Sequence, residues 1–95
     1  MLAGLLGALG HPVRLRLLMV LTGGDMYLSE LAGVVGVSRA LALVHLKKLV
    51  KAGLVDTRVV LMGEEARARR YYSIRDFEVH VSPELLALEV ENVGL

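Results

Sequence analysis

The sequence predicts one mainly α-helical domain with a small antiparallel β-hairpin. Two observations carry this prediction. Apolar residues recur at helical spacing over most of the first 52 positions. A β-branched run at 55–62 is followed, after a polar turn at 63–67, by a second strand-like run at 68–74. The length of 95 residues allows one domain and little more.

The chain begins with two predicted helices. Pro12 suits the first position of a helix because it lacks the N–H that would be unpaired there, so a second helix over 13–21 is expected. Gly23 and Gly24 then end that helix. The first helix carries a stripe at i, i+3, i+4 and i+7, formed by Leu2, Leu5, Leu6 and Leu9.

Residues 29–52 predict a helix, a short turn and a longer helix. Ser29 is expected to cap a short helix over 31–35, and Gly36 supplies the turn. Ser38 is expected to cap a helix over 39–52, which Gly53 closes. This layout is typical of a helix-turn-helix, in which the second helix reads DNA.

The strands at 55–62 and 68–74 would then form the wing beside the helix-turn-helix, with Tyr72 facing the core. Alternating apolar residues at 77, 79 and 81 predict one further short strand. Ser82 and Pro83 are typical of a helix start, so an amphipathic helix is expected to end the chain.

A hydrophobic content of 55% is high for a small monomer, which favours a homodimer. The expected domain spans 1–95, with a core at 11–75 and dimerisation segments at 1–10 and 82–95. A monomer that folds both terminal stripes onto its own core remains the alternative. The predicted interface residues are Leu2, Leu5, Leu6, Leu9, Leu86, Val90 and Val93.

Charge is unevenly distributed along the chain although its net value is only +1. Residues 1–38 are neutral, 39–75 carry +6, and 76–95 carry −5. A basic middle segment that includes the predicted reading helix and wing indicates a local face for anions such as the DNA backbone.

Several short motifs follow one another along the chain. The order and spacing resemble the ArsR-type winged-helix repressors, in particular small archaeal-type members without metal-binding cysteines. The resemblance implies a homodimer that is built by the terminal helices, binds operator DNA and regulates transcription. The motifs are His11-Pro12-Val13-Arg14, Ser29-Glu30-Leu31-Ala32, Val37-Ser38, His45-Leu46-Lys47-Lys48-Leu49, Ala52-Gly53-Leu54-Val55 and Arg70-Tyr71-Tyr72.

By this resemblance Arg39 meets guanine in the major groove, while lysines of the same helix and arginines of the wing meet phosphates or a minor groove. Family members usually carry polar residues where this chain has Ala40, Leu41, Leu43 and Val44. The alternative function is therefore a protein-interaction module that uses Leu41, Leu43 and Val44. The predicted DNA-binding residues are Ser38, Arg39, Ala40, Leu41, Leu43, Val44, Lys47, Lys48, Arg67, Arg69 and Arg70.

Other function classes find little support. The chain has no cysteine and three scattered histidines, so no metal or cofactor is expected. The set Asp76, His80 and Glu84 resembles a carboxylate–histidine metal site only loosely. No catalytic motif is present, and the apolar start is too short for a membrane span, so a cytoplasmic protein is expected. The scarcity of Cys, Asn and Gln is typical of thermophiles.

Overall fold

The computed structural model describes residues 2–63 and 67–93, the last two by their backbone alone. The described residues form five helices and one three-stranded antiparallel sheet, which confirms the predicted class and adds a strand to the hairpin. The elements are α1 (Leu2–Leu9), α2 (Pro12–Leu21), β1 (Met26–Tyr27), α3 (Leu28–Val35), α4 (Arg39–Lys51), β2 (Val55–Met62), β3 (Arg67–Ile74) and α5 (Pro83–Val93).

The junction between α1 and α2 is closed by a histidine cap. Pro12 occupies the first turn of α2, as predicted, and His11 precedes it in extended backbone. The Nδ1 atom of His11 accepts a hydrogen bond from the backbone N–H of Val13 at 3.1 Å. The cap satisfies a donor that the start of the helix would otherwise leave unpaired.

The predicted start of α3 is wrong by several residues. Ser29 does not cap the helix; Tyr27 does, and Leu28 is already helical. Glu30 accepts a hydrogen bond from the backbone N–H of Tyr27 at 3.2 Å, and Leu28 packs against the core, so the helix begins earlier. At its other end Gly36 adopts a left-handed φ of 80°, which turns the chain toward α4 as expected.

Strand β3 is the centre of the sheet. It pairs along its whole length with β2, from Met62 opposite Arg67 to Val55 opposite Ile74. Its other edge pairs with the two-residue strand β1. The wing is therefore attached to the helix-turn-helix through the strand that leads directly into α3.

The predicted strand at 77–81 is wrong, because that segment is irregular. Strand β3 already has partners on both edges, and the chain leaves the sheet at Arg75, whose N–H donates to the carbonyl of Leu54 at 3.0 Å. Phe77 packs against the core cluster from this irregular segment. The alternation of apolar and polar residues at 77–81 therefore does not correspond to a strand.

The core lies where α2, α3 and α4 meet the base of the sheet. Among the described side chains of helix α5 none is buried, and its link to α1 includes a hydrogen bond from the N–H of Ala3 to Glu89 Oε1 at 3.4 Å. The radius of gyration is 15.8 Å, against about 12 Å for a compact domain of this length. The largest fully buried side chains are Leu17, Leu21, Leu31, Leu46, Leu49, Leu54 and Val55.

Candidate nucleic-acid interface

The exposed face of helix α4 is apolar, and the helix contains no acidic residue. Ser38 caps it as predicted, with its Oγ accepting from the N–H of Leu41 at 3.1 Å. Ala40 is exposed, and the exposed fractions of Leu41 and Val44 are 43% and 51%. The helix contains Arg39 and three lysines but no Asp or Glu. The expected outward placement of these residues is what the structure shows.

The side of α4 that faces the wing carries Leu43 and Lys47. Leu43 is half-buried and Lys47 is exposed, and both line a groove of about 510 Å³ that ends on the buried Tyr72. Arg70 lies on the opposite wall, where its Nη1 atom donates to the Thr57 hydroxyl at 3.3 Å. Leu43 therefore belongs to the seam between helix and wing more than to the outermost face.

A second groove, of about 560 Å³, is lined by four of the eight arginines. It lies between the starts of α3 and α4 and strand β3. The described lining includes four guanidinium groups and no carboxylate, which makes it a strongly positive recess suited to anions. The lining residues are Tyr27, Leu28, Ser29, Arg39, Arg67, Ala68, Arg69 and Arg70.

Aromatic contacts fix the wing against the helices. The guanidinium carbon of Arg69 lies 4.3 Å from the centre of the Tyr27 ring. That ring meets Tyr71 edge-on at 5.7 Å, and Arg58 lies 5.3 Å over Tyr71. Arg58 also forms an ion pair with Asp25 at 2.7 Å. Sequence reasoning did not identify this anchor, because its members come from three separate segments.

Lys48 lies on the other side of α4, and Lys51 lines grooves on both sides of the helix. Both lysines line a groove of about 560 Å³ whose opposite wall is α1. Lys48 is exposed, so it flanks the outer face rather than occupying its centre. The four basic residues of α4 are thus spread over both sides of its apolar surface.

A buried polar unit connects α1, α2 and α4. Arg14 is only 8% exposed and donates to the carbonyl oxygens of Ala8 at 2.6 Å and Gly7 at 3.2 Å. Its Nη1 atom lies 3.0 Å from Nδ1 of His45. Because a guanidinium can only donate, that nitrogen of His45 accepts and the proton of the neutral ring is on Nε2.

The buried His45 packs on the α1–α2 side of α4 rather than on the side of the hairpin. Its ring faces the α1–α2 side and lies 4.3 Å, centre to centre, from the ring of His11. Burial is the main cause that lowers the pKa of His45, and the charges of His11, Arg14 and Lys48 act in the same direction. The unit therefore holds a neutral histidine beside a permanent cation.

The predicted dimer residues separate into two groups. Leu5 and Leu9 pack against the core of their own protomer, and Leu2 is half-buried. Leu6, Leu86 and Val90 are exposed, with 37%, 44% and 45% of their surface accessible. The side chain of Val93 lies outside the described residues, as do the acidic turn residues Glu64 and Glu65.

Within the described part of the chain, no three His, Asp or Glu residues are grouped so as to hold a metal ion. No single described helix is long and apolar enough to cross a membrane. The pairs α1–α2 and α3–α4 reach that length and composition only together, and they are bent by 89° and 106°.

Comparison with known proteins agrees with this geometry. The model of the bacterial regulatory protein family arsR matches residues 11–57. An uncharacterized HTH-type transcriptional regulator of Methanocaldococcus jannaschii is 34% identical over 85 residues, which is 90% of this chain and 87% of that protein. The composition expected of a thermophile fits this archaeal relative.

Two solved structures share the fold. NolR from Sinorhizobium fredii is 32% identical with a TM-score of 0.64, over 97% of this chain and 83% of that one. A homodimeric winged helix-turn-helix DNA-binding domain from Mycobacterium bovis, described as a possible ArsR-family regulator, is 27% identical with a TM-score of 0.64. That match covers 96% of this chain and 72% of the other.

Proposed function

The chain belongs to the ArsR family of winged-helix, DNA-binding transcriptional regulators, and we propose that it acts as a homodimeric repressor on double-stranded DNA. The observation that carries the proposal is the acid-free helix α4 beside a groove lined by four arginines. Such a surface offers apolar contacts at its centre and cations around them. A repressor role is typical of the family.

In the proposed complex α4 enters the major groove. Arg39, at the start of the helix, is placed to donate to guanine O6 and N7, and the cap at Ser38 lies near the phosphates. Lys47 and Lys48 flank the helix and contact the two strands of the backbone. The roles of these side chains follow from their exposure and from the sides of α4 on which they lie.

The arginines of the wing would hold the adjoining backbone or minor groove. Arg69 is oriented by the ring of Tyr27, and Arg70 by the hydroxyl of Thr57, so both are partly ordered before DNA binds. Ordering a guanidinium in advance reduces the entropy cost of binding. Arg67 lies on the same strand, nearest the tip of the wing.

Dimerisation is proposed through α1 and α5. The exposed Leu6, Leu86 and Val90 lie on these two helices, and no side chain of α5 from Pro83 to Glu91 is buried within the protomer. The homodimeric state of the Mycobacterium bovis domain supports the same arrangement here. A two-fold dimer would place its two α4 helices about 34 Å apart, one turn of DNA, and would favour a palindromic site.

A protein-interaction module is the less favoured function. The exposed apolar residues Leu41 and Val44 are accompanied by basic side chains on both sides of α4, which suits a polyanion better than an ordinary apolar partner. The family and the relatives are regulators rather than enzymes, and we assign no catalytic step to the chain.

The proposal is tested by fluorescence anisotropy of a labelled random 30-base-pair duplex, titrated at several salt concentrations. The wild-type chain is compared with the triple variant Arg67→Ala, Arg69→Ala, Arg70→Ala. The slope of log K against log salt should be steep, and it should flatten by about 0.9 for each phosphate that the variant no longer neutralises.

Arg75→Ala is the matched control, because Arg75 is an exposed arginine just beyond β3, at the end of the strand away from the wing tip. Its slope should equal that of the wild type. Absence of binding at low salt, or equal slopes for the triple variant and the wild type, would contradict the proposed interface.

A further inference from the structure

The chain lacks the side chains that read adenine most directly. It contains no Gln, and its one Asn is Asn92, near the end of α5. Asn and Gln are the residues that contact adenine N6 and N7 with two hydrogen bonds. Neither α4 nor the wing can therefore identify an A·T pair from its adenine in this way.

The other half of an A·T pair offers an apolar group. Thymine exposes its 5-methyl group in the major groove, and Ala and other small apolar side chains can contact it. Ala40, Leu41 and Val44 are all exposed on the outward part of α4. Ala40 and Val44 are four residues apart and so lie about 6 Å apart along the helix axis, close to two base-pair steps of 3.4 Å.

The charges around these residues favour DNA as the occupant of this surface. Arg39 and Lys47 lie toward the wing, Lys48 lies toward α1, and α4 has no carboxylate. An apolar partner protein gains nothing from these cations, whereas a thymine methyl in the major groove always has a phosphate on either side. The apolar residues and their basic neighbours thus match one ligand together.

We infer that α4 recognises T·A pairs through the 5-methyl groups of thymine, which Ala40, Leu41 and Val44 cover, while Arg39 fixes the helix on a neighbouring guanine. The inference rests on the proposed function and makes it more specific: base selection in this chain depends on methyl burial at the centre of α4. A half-site rich in thymine with a G·C pair at one end is the expected substrate class.

The test compares two 30-base-pair duplexes that differ only in the methyl groups. The dA-dT duplex has two thymine-rich half-sites, each with a G·C pair at one end, and the dA-dU duplex has the same sequence with dU in place of every dT. Burying a methyl contributes about fourfold in affinity. One methyl contacted by each of the two α4 helices predicts roughly 15-fold weaker binding to the dA-dU duplex. The reciprocal pair, alternating dG-dC with and without the 5-methyl group on cytosine, should show a gain in the methylated duplex.

Variants identify where the discrimination arises. Val44→Ala truncates the more exposed of the two large apolar side chains on the outward part of α4, and it leaves a good helix former in place, so folding is retained. It should reduce the dT-over-dU preference to about fourfold or less. Met19→Ala, which removes an exposed apolar side chain on α2, is the control and should keep the full preference.

Equal affinity of the wild type for the two duplexes, with both affinities falling steeply with salt, would overturn the inference and leave the proposed function intact. A preference that Val44→Ala leaves unchanged would also overturn it, because the discrimination would then come from duplex shape. No binding to either duplex at low salt would overturn the proposed function itself.

Discussion

Replacing Arg14 by methionine should destabilise the fold far more than the same change two residues along the helix. The guanidinium of Arg14 donates to two carbonyl oxygens at the end of α1 and to Nδ1 of His45 on α4. Methionine keeps the apolar stem but offers no donor. The change thus removes the one side chain that joins α1, α2 and α4 by hydrogen bonds in the described structure.

The magnitude follows from which acceptors water can reach. The carbonyl of Ala8 and Nδ1 of His45 belong to buried residues, whereas Gly7 is exposed and water can replace its partner. A buried acceptor without a donor costs about 1–3 kcal/mol. Two such acceptors predict a decrease of about 3 kcal/mol in the free energy of unfolding, and a melting temperature lower by roughly 12–24 °C.

Urea and thermal unfolding followed by circular dichroism, at one fixed protein concentration, measure the decrease. Arg16→Met is the control: Arg16 is exposed and donates to a single carbonyl, that of Val35, so its removal leaves one acceptor rather than two and should cost about 1 kcal/mol. If Arg14→Met and Arg16→Met differ by less than about 1 kcal/mol, the unit does not hold the helices together as described.

Three further changes probe the turn, the histidine and the dimer. Gly36→Ala should lower the free energy of unfolding, measured in urea, by about 1–2 kcal/mol, because φ is 80° at this position. Gly33→Ala should raise it by up to about 1 kcal/mol, because Gly33 lies inside α3 and an added Cβ would meet open space. Burial lowers the pKa of His45 in the folded state, so the unfolded state takes up a proton at that histidine first as the pH decreases. The free energy of unfolding should therefore be constant above about pH 7 and fall below about pH 6.5. His45→Gln should flatten that fall. Leu86→Lys should shift the sedimentation equilibrium toward monomer, whereas Leu88→Lys, on the opposite face of α5, should not; equal effects would place the interface elsewhere.

The helix-turn-helix and the wing were predictable because their signals are local. Apolar spacing, the cap at Ser38, the turn at Gly36 and the β-branched run of β2 each determine structure within a few residues. The bounds of α4 and β2 accordingly differ from prediction by one residue at most. The DNA-binding character followed from the charge of the same segment and from its resemblance to the family.

The errors arose where a distant contact outweighs a local preference. Ser29 is a good cap in isolation, but the carboxylate of Glu30 and the packing of Leu28 move the helix start to Tyr27. The alternation at 77–81 is typical of a strand, yet the chain leaves the sheet at Arg75 and Phe77 packs against the core cluster from an irregular segment. Pattern alone contains no information on where the chain leaves the sheet.

The buried polar unit shows the same limit from another side. Arg14 lies on an apolar helix, where a long cation is usually solvent-exposed, and only the fold reveals that α1 ends against it. His45 follows the core spacing of α4, so its burial was predictable, but its partners on α1 and α2 were not. Which helices meet is decided by the whole chain.

The most direct test of DNA reading by α4 is selection of bound sequences from a pool of random duplexes by the full chain at physiological salt. We expect an enriched palindrome whose two thymine-rich half-sites are centred about 10 base pairs apart, one for each α4 of the dimer. Enrichment of a single unrepeated half-site, or of no sequence at all, would contradict a two-fold dimer that reads DNA through this helix.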